Sequence, residues 1–325
     1  TKTLSSNGVI PKVICVTVAE DYANQRIDNF LFRELKGIPK SHVYRILRRG
    51  EVRLNGKRVK QDCKLCLGDV IRIPPVRTAN SLGQDEKNTA KLPRHISDLL
   101  LQNIIYEDDA IIVLNKPSGM AAHGGSGINY GVIEAMRKAR PDIRYLELVH
   151  RLDRDTSGCM LLAKKRSALH TLHAYLREGK MIKNYLLLVK GKWRGGSRKV
   201  DVSLLKNRLS SGERIVKVSP LGKETLTVFQ PAQLFKEASL INARLYTGKT
   251  HQIRVHAAHI GYPVAGDDKY GDREFNKKME KLGLKRLFLH AAEIKFKLPG
   301  SEQDVLFTAP LEKDLTIFLE KLHES

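Results

Sequence analysis

The chain has 325 residues and 42% hydrophobic composition, enough for a large domain and a small one, each with its own core. No stretch approaches the ~20 apolar residues of a membrane helix, the opening TKTLSSNGVIPK lacks the apolar core of a secretion signal, and four cysteines (Cys15, Cys63, Cys66, Cys159) are too few and scattered for a secreted disulfide framework, so a cytoplasmic protein with no membrane association is expected. Lys and Arg number 57 against 35 Asp and Glu, a formal charge of +22; a field of that sign attracts polyanions, nucleic acid first and an anionic membrane surface second, unless the charge serves solubility alone.

Residues 1–20 read as an N-terminal extension. The basic charge then concentrates, with fourteen Lys or Arg against five acids in residues 26–77. In NQRIDNFLFREL, Ile27, Phe30, Leu31 and Leu35 recur at helical spacing. In KSHVYRILRRG, Val43, Ile46 and Leu47 do so between Ser41 as N-cap and Gly50 as stop, with the bases off the apolar stripe. EVRLNGKRV alternates Val52, Leu54 and Val59 around an Asn55-Gly56 turn, a hairpin signal, and Gly68-Asp69 leads into a last strand, VIRIP. The segments RIDNFL, SHVYRILRRGEVRLNGKRV and LGDVIRIP, in that order, resemble the S4 RNA-binding domain over its whole length, here residues 21–77. The resemblance sets Arg45, Arg48, Arg49 and Arg53 along one edge and implies phosphate contact, a contribution to affinity rather than chemistry. Cys63 and Cys66 form a C-x-x-C pair, but no second ligand pair follows at finger spacing and no metal is assigned.

Residues 78–97 carry few apolar side chains, no period and mixed charge, which predicts a mobile linker that lets a basic module and the remainder orient independently on a large substrate. From residue 98 to 325 the pattern mixes hairpins and helices. IIYEDDAIIVLNKPSGM reads as a hairpin, GVIEAMRKA and SALHTLHAYLREGK as helices, and KNYLLLVKG, KETLTVFQ, SLINARLYTG and RLFLHAAEIKFKL as strands. The expected class is α+β with a mostly antiparallel mixed sheet flanked by helices and loops.

Three stretches of this domain look chemical. HRLDRDTSG (150–158) sets Arg151, Asp153, Arg154 and Asp155 between two apolar runs. KNY (183–185) opens a strand. In LYTGKTHQIRVHAAHIG a Gly248 turn and a Thr250 cap launch a helix on which His251 and Arg254 share one face. The histidines 251, 256 and 259 have no acid among them and poor convergent spacing, so they are read as satisfied or exposed side chains rather than metal ligands.

HRLDRDTSG, NKPSG (115–119), KNY, TGKTHQIRVH (247–256) and RLFLHA (286–291) resemble, together, the motifs of the RluA-type pseudouridine synthases, which isomerise uridine in RNA. The resemblance implies an isomerase that needs no cofactor or metal. It makes Asp153 the catalytic carboxylate and Arg254 its cationic partner, a neighbour that can lower a carboxyl pKa by about 1–3 units. It sends Arg151 into the RNA stack vacated by a flipped base, places Tyr185 against the uracil where it could help remove the C5 proton, and makes Leu289 an apolar wall. Thr156, Ser157 and Gly158 are read as support for the turn, through hydroxyl-to-backbone bonds and a glycine conformation. Asp155 suggests the paired carboxylates of glycoside hydrolysis, but Arg154 and Asp155 fall at variable positions of the motif and are left out. The implied partner is 23S ribosomal RNA or a large-subunit assembly intermediate, modified at several uridines, with a monomer as the default state. Two other readings stay open: a non-catalytic assembly factor that binds RNA through the S4 module, and an RNA glycosylase that releases uracil.

Overall fold

The computed structural model describes residues 13–19, 22–35, 38–76, 93–124, 130–208 and 214–324, and the chain divides into two units, Thr1–Lys91 and Leu92–Ser325. The first contains β1 (Ile14–Thr17), α1 (Ile27–Glu34), α2 (Lys40–Arg48), β2 (Arg53–Leu54), β3 (Lys57–Arg58) and β4 (Val70–Ile73). Its sheet runs β1-β4-β2-β3, all antiparallel. The apolar positions that recur at helical spacing, Ile27, Phe30, Leu31, Leu35, Val43, Ile46 and Leu47, are buried with Val52, Leu65, Ile71 and Ile73 in one core. Asn55 (φ 49°) and Gly56 (φ 78°) both lie in the left-handed region, as a two-residue type I′ hairpin demands.

Two local expectations in this unit fail for identifiable reasons. Helix α2 starts at Lys40 with Pro39 at its N-cap, so Ser41 lies inside the first turn and does not cap; the fixed φ of proline sets the helix entry in its place. The strand Ile14–Thr17 belongs to the sheet although residues 1–20 read as an extension. The run VICVTV (13–18) is itself rich in β-branched residues, a local strand signal, and its pairing with the distant β4 places it in this sheet. Of the expected linker, residues 78–92 lie outside the described residues, and from Arg94 the chain is already helical.

The second unit contains α3 (Arg94–Gln102), β5 (Ile104–Glu107), β6 (Ile111–Lys116), α4 (Val132–Ala139), β7 (Glu147–Leu148), β8 (Ser157–Ala163), α5 (Arg166–Arg177), β9 (Ile182–Lys190), β10 (Arg198–Asp201), β11 (Leu204–Arg208) and β12 (Arg214–Val218). It continues with β13 (Leu226–Leu234), β14 (Ala238–Leu245), α6 (Gln252–His259), α7 (Arg273–Lys281), β15 (Leu289–Lys297), β16 (Asp304–Thr308) and α8 (Lys313–Glu324). The main sheet is ordered β10-β13-β14-β9-β15-β8-β6-β5, with β16 on β15 and β7 on β8. It is α+β and antiparallel except where β8 and β15 run parallel.

Helices cover both faces of this sheet, which is why β6 and β8 are buried at every residue. Alternation divides the strands between two cores. Ile112, Leu114, Met160 and Leu162 face the core shared with α3, α4 and α6, whereas Ile111, Val113, Cys159 and Leu161 face the one shared with α5. The central strands therefore make a rigid floor. The motif residues stand at one end of it: Asp153 four residues before β8, Tyr185 in β9, Leu289 at the start of β15 and Leu245 at the end of β14.

Candidate active site

The charged knot is a loop nailed down from beneath. Thr156 N–H donates to Asp153 O (3.2 Å), Lys116 Nζ donates to Arg154 O (3.0 Å), and Ser118 Oγ donates to Asp155 O (2.9 Å). Lys116 is fully buried and also donates to Pro117 O and Met120 O, both at 2.8 Å. Burial pushes its ammonium down to about 7, yet three carbonyl acceptors use all three protons of the charged form. NKPSG thus acts as the clamp under RLDRD. Ser157 Oγ, expected to bond backbone, instead bonds side chains: it accepts from Arg286 Nη2 (2.6 Å) and meets His290 Nδ1 (2.9 Å), while Arg286 is held by Glu312.

Gly158 is required by geometry rather than by the turn alone. Its φ is +109°, and a Cβ built there would lie 2.2 Å from Ala291 O. Gly158 pairs here with Ala291 of the parallel neighbour β15, which holds the end of the knot against the strand that carries Leu289. Gly158→Ala is expected to destabilise the unit by about 3 kcal/mol, a fall in melting temperature of about 6–12 °C by calorimetry; a melt unchanged within 2 °C would contradict this account of the strand contact.

Asp153 stands above this clamp with its side chain 27% exposed. Arg254 Nη1 lies 4.0 Å from its Oδ2, and His251 Nε2 lies 3.8 Å away. The pairing with Arg254 is therefore real but long. The close partner of Arg254 is Asp267, bound in a bidentate fork at 2.7 and 2.6 Å with the carboxylate fully buried. Burial by itself would raise the Asp267 carboxyl, but the guanidinium and the backbone N–H groups of Lys269 and Tyr270 outweigh it and hold it below the usual range. The remaining face of Arg254 is covered by the Tyr270 ring at 5.1 Å.

Helix α6, which carries Arg254, begins differently from expectation. Thr250 is not its cap; the N-cap is His251 in the left-handed region (φ 55°) with no side-chain cap bond. The buried amide of Gln252 instead ties the start of the helix to the preceding loop and to β13, accepting from Lys249 N and Thr247 Oγ1 and donating to Leu226 O and Thr227 Oγ1. The left-handed turn swings His251 towards Asp153. Its Nε2 is turned to the Asp153 carboxylate, and its Nδ1 is hydrogen-bonded to the Tyr270 hydroxyl (2.8 Å), which accepts from Val216 N (3.0 Å). Burial lowers the affinity of His251 for a second proton, with the Asp153 charge opposing. His256 is buried and His259 exposed, so the three histidines do not converge.

Asp153, His251, Arg254, Tyr185, Leu289 and Arg151 line one cavity of about 840 Å³, within the range of small-ligand sites. Tyr185 is buried, and both burial and the Asp153 charge push its phenol up, so it is neutral at physiological pH. Leu289 is buried and Leu245 adds to the apolar wall, while Arg151 is exposed at the mouth. Arg154 and Asp155 pair with each other on the surface (3.0 Å). The cavity thus brings a clamped carboxylate, two cationic or N–H donors, a neutral aromatic ring and an apolar wall around one space, an arrangement suited to holding a planar base with its sugar beside an acid.

A family model for RNA pseudouridylate synthase matches residues 110–259, and one for the S4 domain matches residues 25–71. Ribosomal large subunit pseudouridine synthase C of Haemophilus influenzae is 53% identical over 312 residues, covering 95% of each chain. The protein of the same name from Escherichia coli K12 is 52% identical over 319 residues, 97% of this chain and 98% of that one. The chain belongs to the RNA pseudouridylate synthase family. It is an isomerase that converts uridine to pseudouridine. The solved structure of human RNA Pseudouridylate Synthase Domain Containing 4 shares the synthase fold, with a TM-score of 0.59 at 23% identity over 73% of this chain and 97% of that one.

Asp267 and Tyr270 of this synthase were missed in the sequence, although a signal was there. A helix buried along Gln252–Ala257 cannot carry an arginine without an acid, and the next Gly-flanked acidic turn is GDDKYG, residues 266–271. Lys116 was found as part of a motif but with no task.

In the first unit Arg45, Arg48 and Arg49 are exposed on or just after α2, off its buried stripe. Arg53 pairs across the sheet with Arg58 on one side and Arg72 on the other. Like charges directly opposite each other are locally destabilising. Among the described residues Arg58 and Arg72 donate to the backbone carbonyls of Arg49 and Glu51 and to no acid, so this three-arginine row is a surface suited to a polyanion. Cys63 and Cys66 are free thiols, and among the described residues no three His, Cys, Asp or Glu side chains form a metal-binding group.

Proposed function

We propose that the chain modifies several uridines of large-subunit (23S) ribosomal RNA in the cytoplasm, acting as a monomer on the RNA or on an assembly intermediate. The names of the relatives similar over nearly the full chain support the substrate, and among the described residues no helix is long and apolar enough to cross a membrane. The observation that carries the reading is Asp153 held on a clamped loop, faced by Arg254 and His251, at a cavity floored by Tyr185 and Leu289.

The reaction breaks the bond from ribose C1′ to uracil N1 and joins C1′ to C5; C5 loses a proton, N1 gains one, and nothing is oxidised or released. Asp153 engages the extruded nucleotide, at C1′ of the sugar or at C6 of the base. Arg254 and His251 face this acid at 4.0 and 3.8 Å and are placed to meet charge that develops around it during the reaction. A phenol pushed up by burial resists ionisation, which favours Tyr185 as a neutral stacking surface for the turning uracil over a base that takes the C5 proton. Leu289 and Leu245 keep water from the freed C1′, the competitor that would turn isomerisation into hydrolysis. Flipping the uridine costs a few kcal/mol, and Arg151 at the mouth is placed to fill the gap left in the stack.

Purified protein incubated with naked large-subunit rRNA should yield pseudouridine at discrete positions without free uracil; released uracil would make it a glycosylase, and no change at any uridine would leave an RNA-binding factor. The S4-like module, residues 21–77 with Arg45, Arg48, Arg49 and Arg53, supplies affinity in this reading. Deleting residues 1–77 should weaken RNA binding by about tenfold or more and flatten its salt dependence while the saturated rate persists; filter binding at two salt concentrations tests it, and unchanged affinity would remove the role of the module.

A further inference from the structure

Lys183 is the motif residue that the chemistry above leaves without a task. It lies in β9 two positions before Tyr185, and alternate residues of a strand face the same side about 6.5–7 Å apart, so both side chains line the 840 Å³ cavity. The other withdrawn cations of this unit are matched: Lys116 by three carbonyls, Arg254 by Asp267, Arg286 by Glu312, Lys164 by Glu107. Lys183 is half-buried, yet among the described residues its ammonium has neither an acid within reach nor a hydrogen-bond acceptor. Burial alone lowers it from the ordinary lysine value, with no compensating charge. The loop after β14 leaves room for it: a Cβ at Gly248 would lie 3.3 Å from Lys183 Nζ.

An unpaired ammonium in a concave site opposes folding and is retained where a ligand supplies the anion. We propose that Lys183 is the phosphate-binding point of the cavity, its ammonium taking a non-bridging oxygen of the phosphodiester that flanks the extruded uridine. This rests on reading the cavity as the uridine site. A nucleotide whose base lies on Tyr185 and whose C1′ meets Asp153 carries its nearest backbone phosphate one sugar away, on the scale of the step from Tyr185 to Lys183. The contact would select a nucleotide within a strand over a free nucleoside, and would hold the sugar while the uracil turns.

The test uses the full chain and a synthetic oligoribonucleotide spanning one uridine that the wild-type protein converts. Lys183→Met should raise KM about tenfold or more with a much smaller fall in kcat, and should flatten the salt dependence of kcat/KM by about one phosphate contact. Its melting temperature should be unchanged or higher, since an unmatched charge has been removed from a half-buried site. Lys183→Arg should restore most of the affinity. Replacing the flanking phosphodiester by a neutral methylphosphonate should penalise the wild type by a similar factor and leave Lys183→Met unaffected. The proposal is overturned if Lys183→Met leaves KM unchanged, if the two penalties multiply, or if the variant melts lower and Lys183→Arg does not rescue it. If the wild type converts no uridine in any rRNA, the functional reading itself falls, and this contact with it.

Discussion

Asp153→Asn and Asp153→Ala proteins should fold, bind RNA within about threefold of the wild type and form pseudouridine at least ~10³-fold more slowly. The expectation follows from the position of the residue. Its side chain is 27% exposed into the cavity, and the loop beneath it is held through the backbone carbonyls of residues 153–155 by Thr156, Lys116 and Ser118. Removing the carboxylate therefore takes away a reacting group without loosening its support. Single-turnover assays on rRNA, with binding and melting measured in parallel, separate chemistry from folding. Activity within tenfold of wild type for Asp153→Asn would move the reacting group elsewhere in the cavity.

Arg254→Met carries the second large effect, and it should be structural as well as catalytic. Removing the guanidinium strands the fully buried carboxylate of Asp267, and breaking a buried pair from one side costs about 3–5 kcal/mol. For a unit of this size that is a fall of about 6–20 °C in melting temperature. Replacing both partners, Arg254→Met with Asp267→Leu, should recover much of the stability and none of the activity, because the cation facing Asp153 is still missing. Recovered activity in the double variant would show that Arg254 matters only through the fold. The pH dependence has a defined sign. Asp267 is depressed in the folded state, so the stability linked to it is fully present above the ordinary value of 3.8 and is lost as pH falls below it. Wild-type melts between pH 7 and 5 should therefore show no loss from this pair.

Elements whose signals are local were legible in the sequence. The stripes Ile27, Phe30, Leu31 and Val43, Ile46, Leu47 are buried where periodicity put them, and Asn55-Gly56 turns a hairpin because both residues tolerate positive φ. The strands β9, β14 and β15 lie where the apolar runs are. What failed were features set by distant partners. The helix expected to be capped by Thr250 starts one residue later from His251 in the left-handed region, with the Gln252 amide tied to residues 226 and 227 of β13, and the place of β1 in the sheet is set by its pairing with β4.

The candidate site divides along the same line. By itself the sequence determined which residue types are present and in what order: an acid in RLD, an arginine on a short helix, a tyrosine opening a strand, a basic N-terminal module. These follow from composition, period and motif, all of which are one-dimensional. The tertiary structure decided who faces whom. It gave Arg254 to Asp267 and left only a 4.0 Å contact for Asp153, brought His251 to the acid through a left-handed turn, turned Lys116 into a clamp, and left Lys183 without an acid. The physical reason is that charge pairing inside a protein depends on distances and burial created by strands far apart in the chain, and no local pattern records which cation a fold will satisfy and which it will hold open.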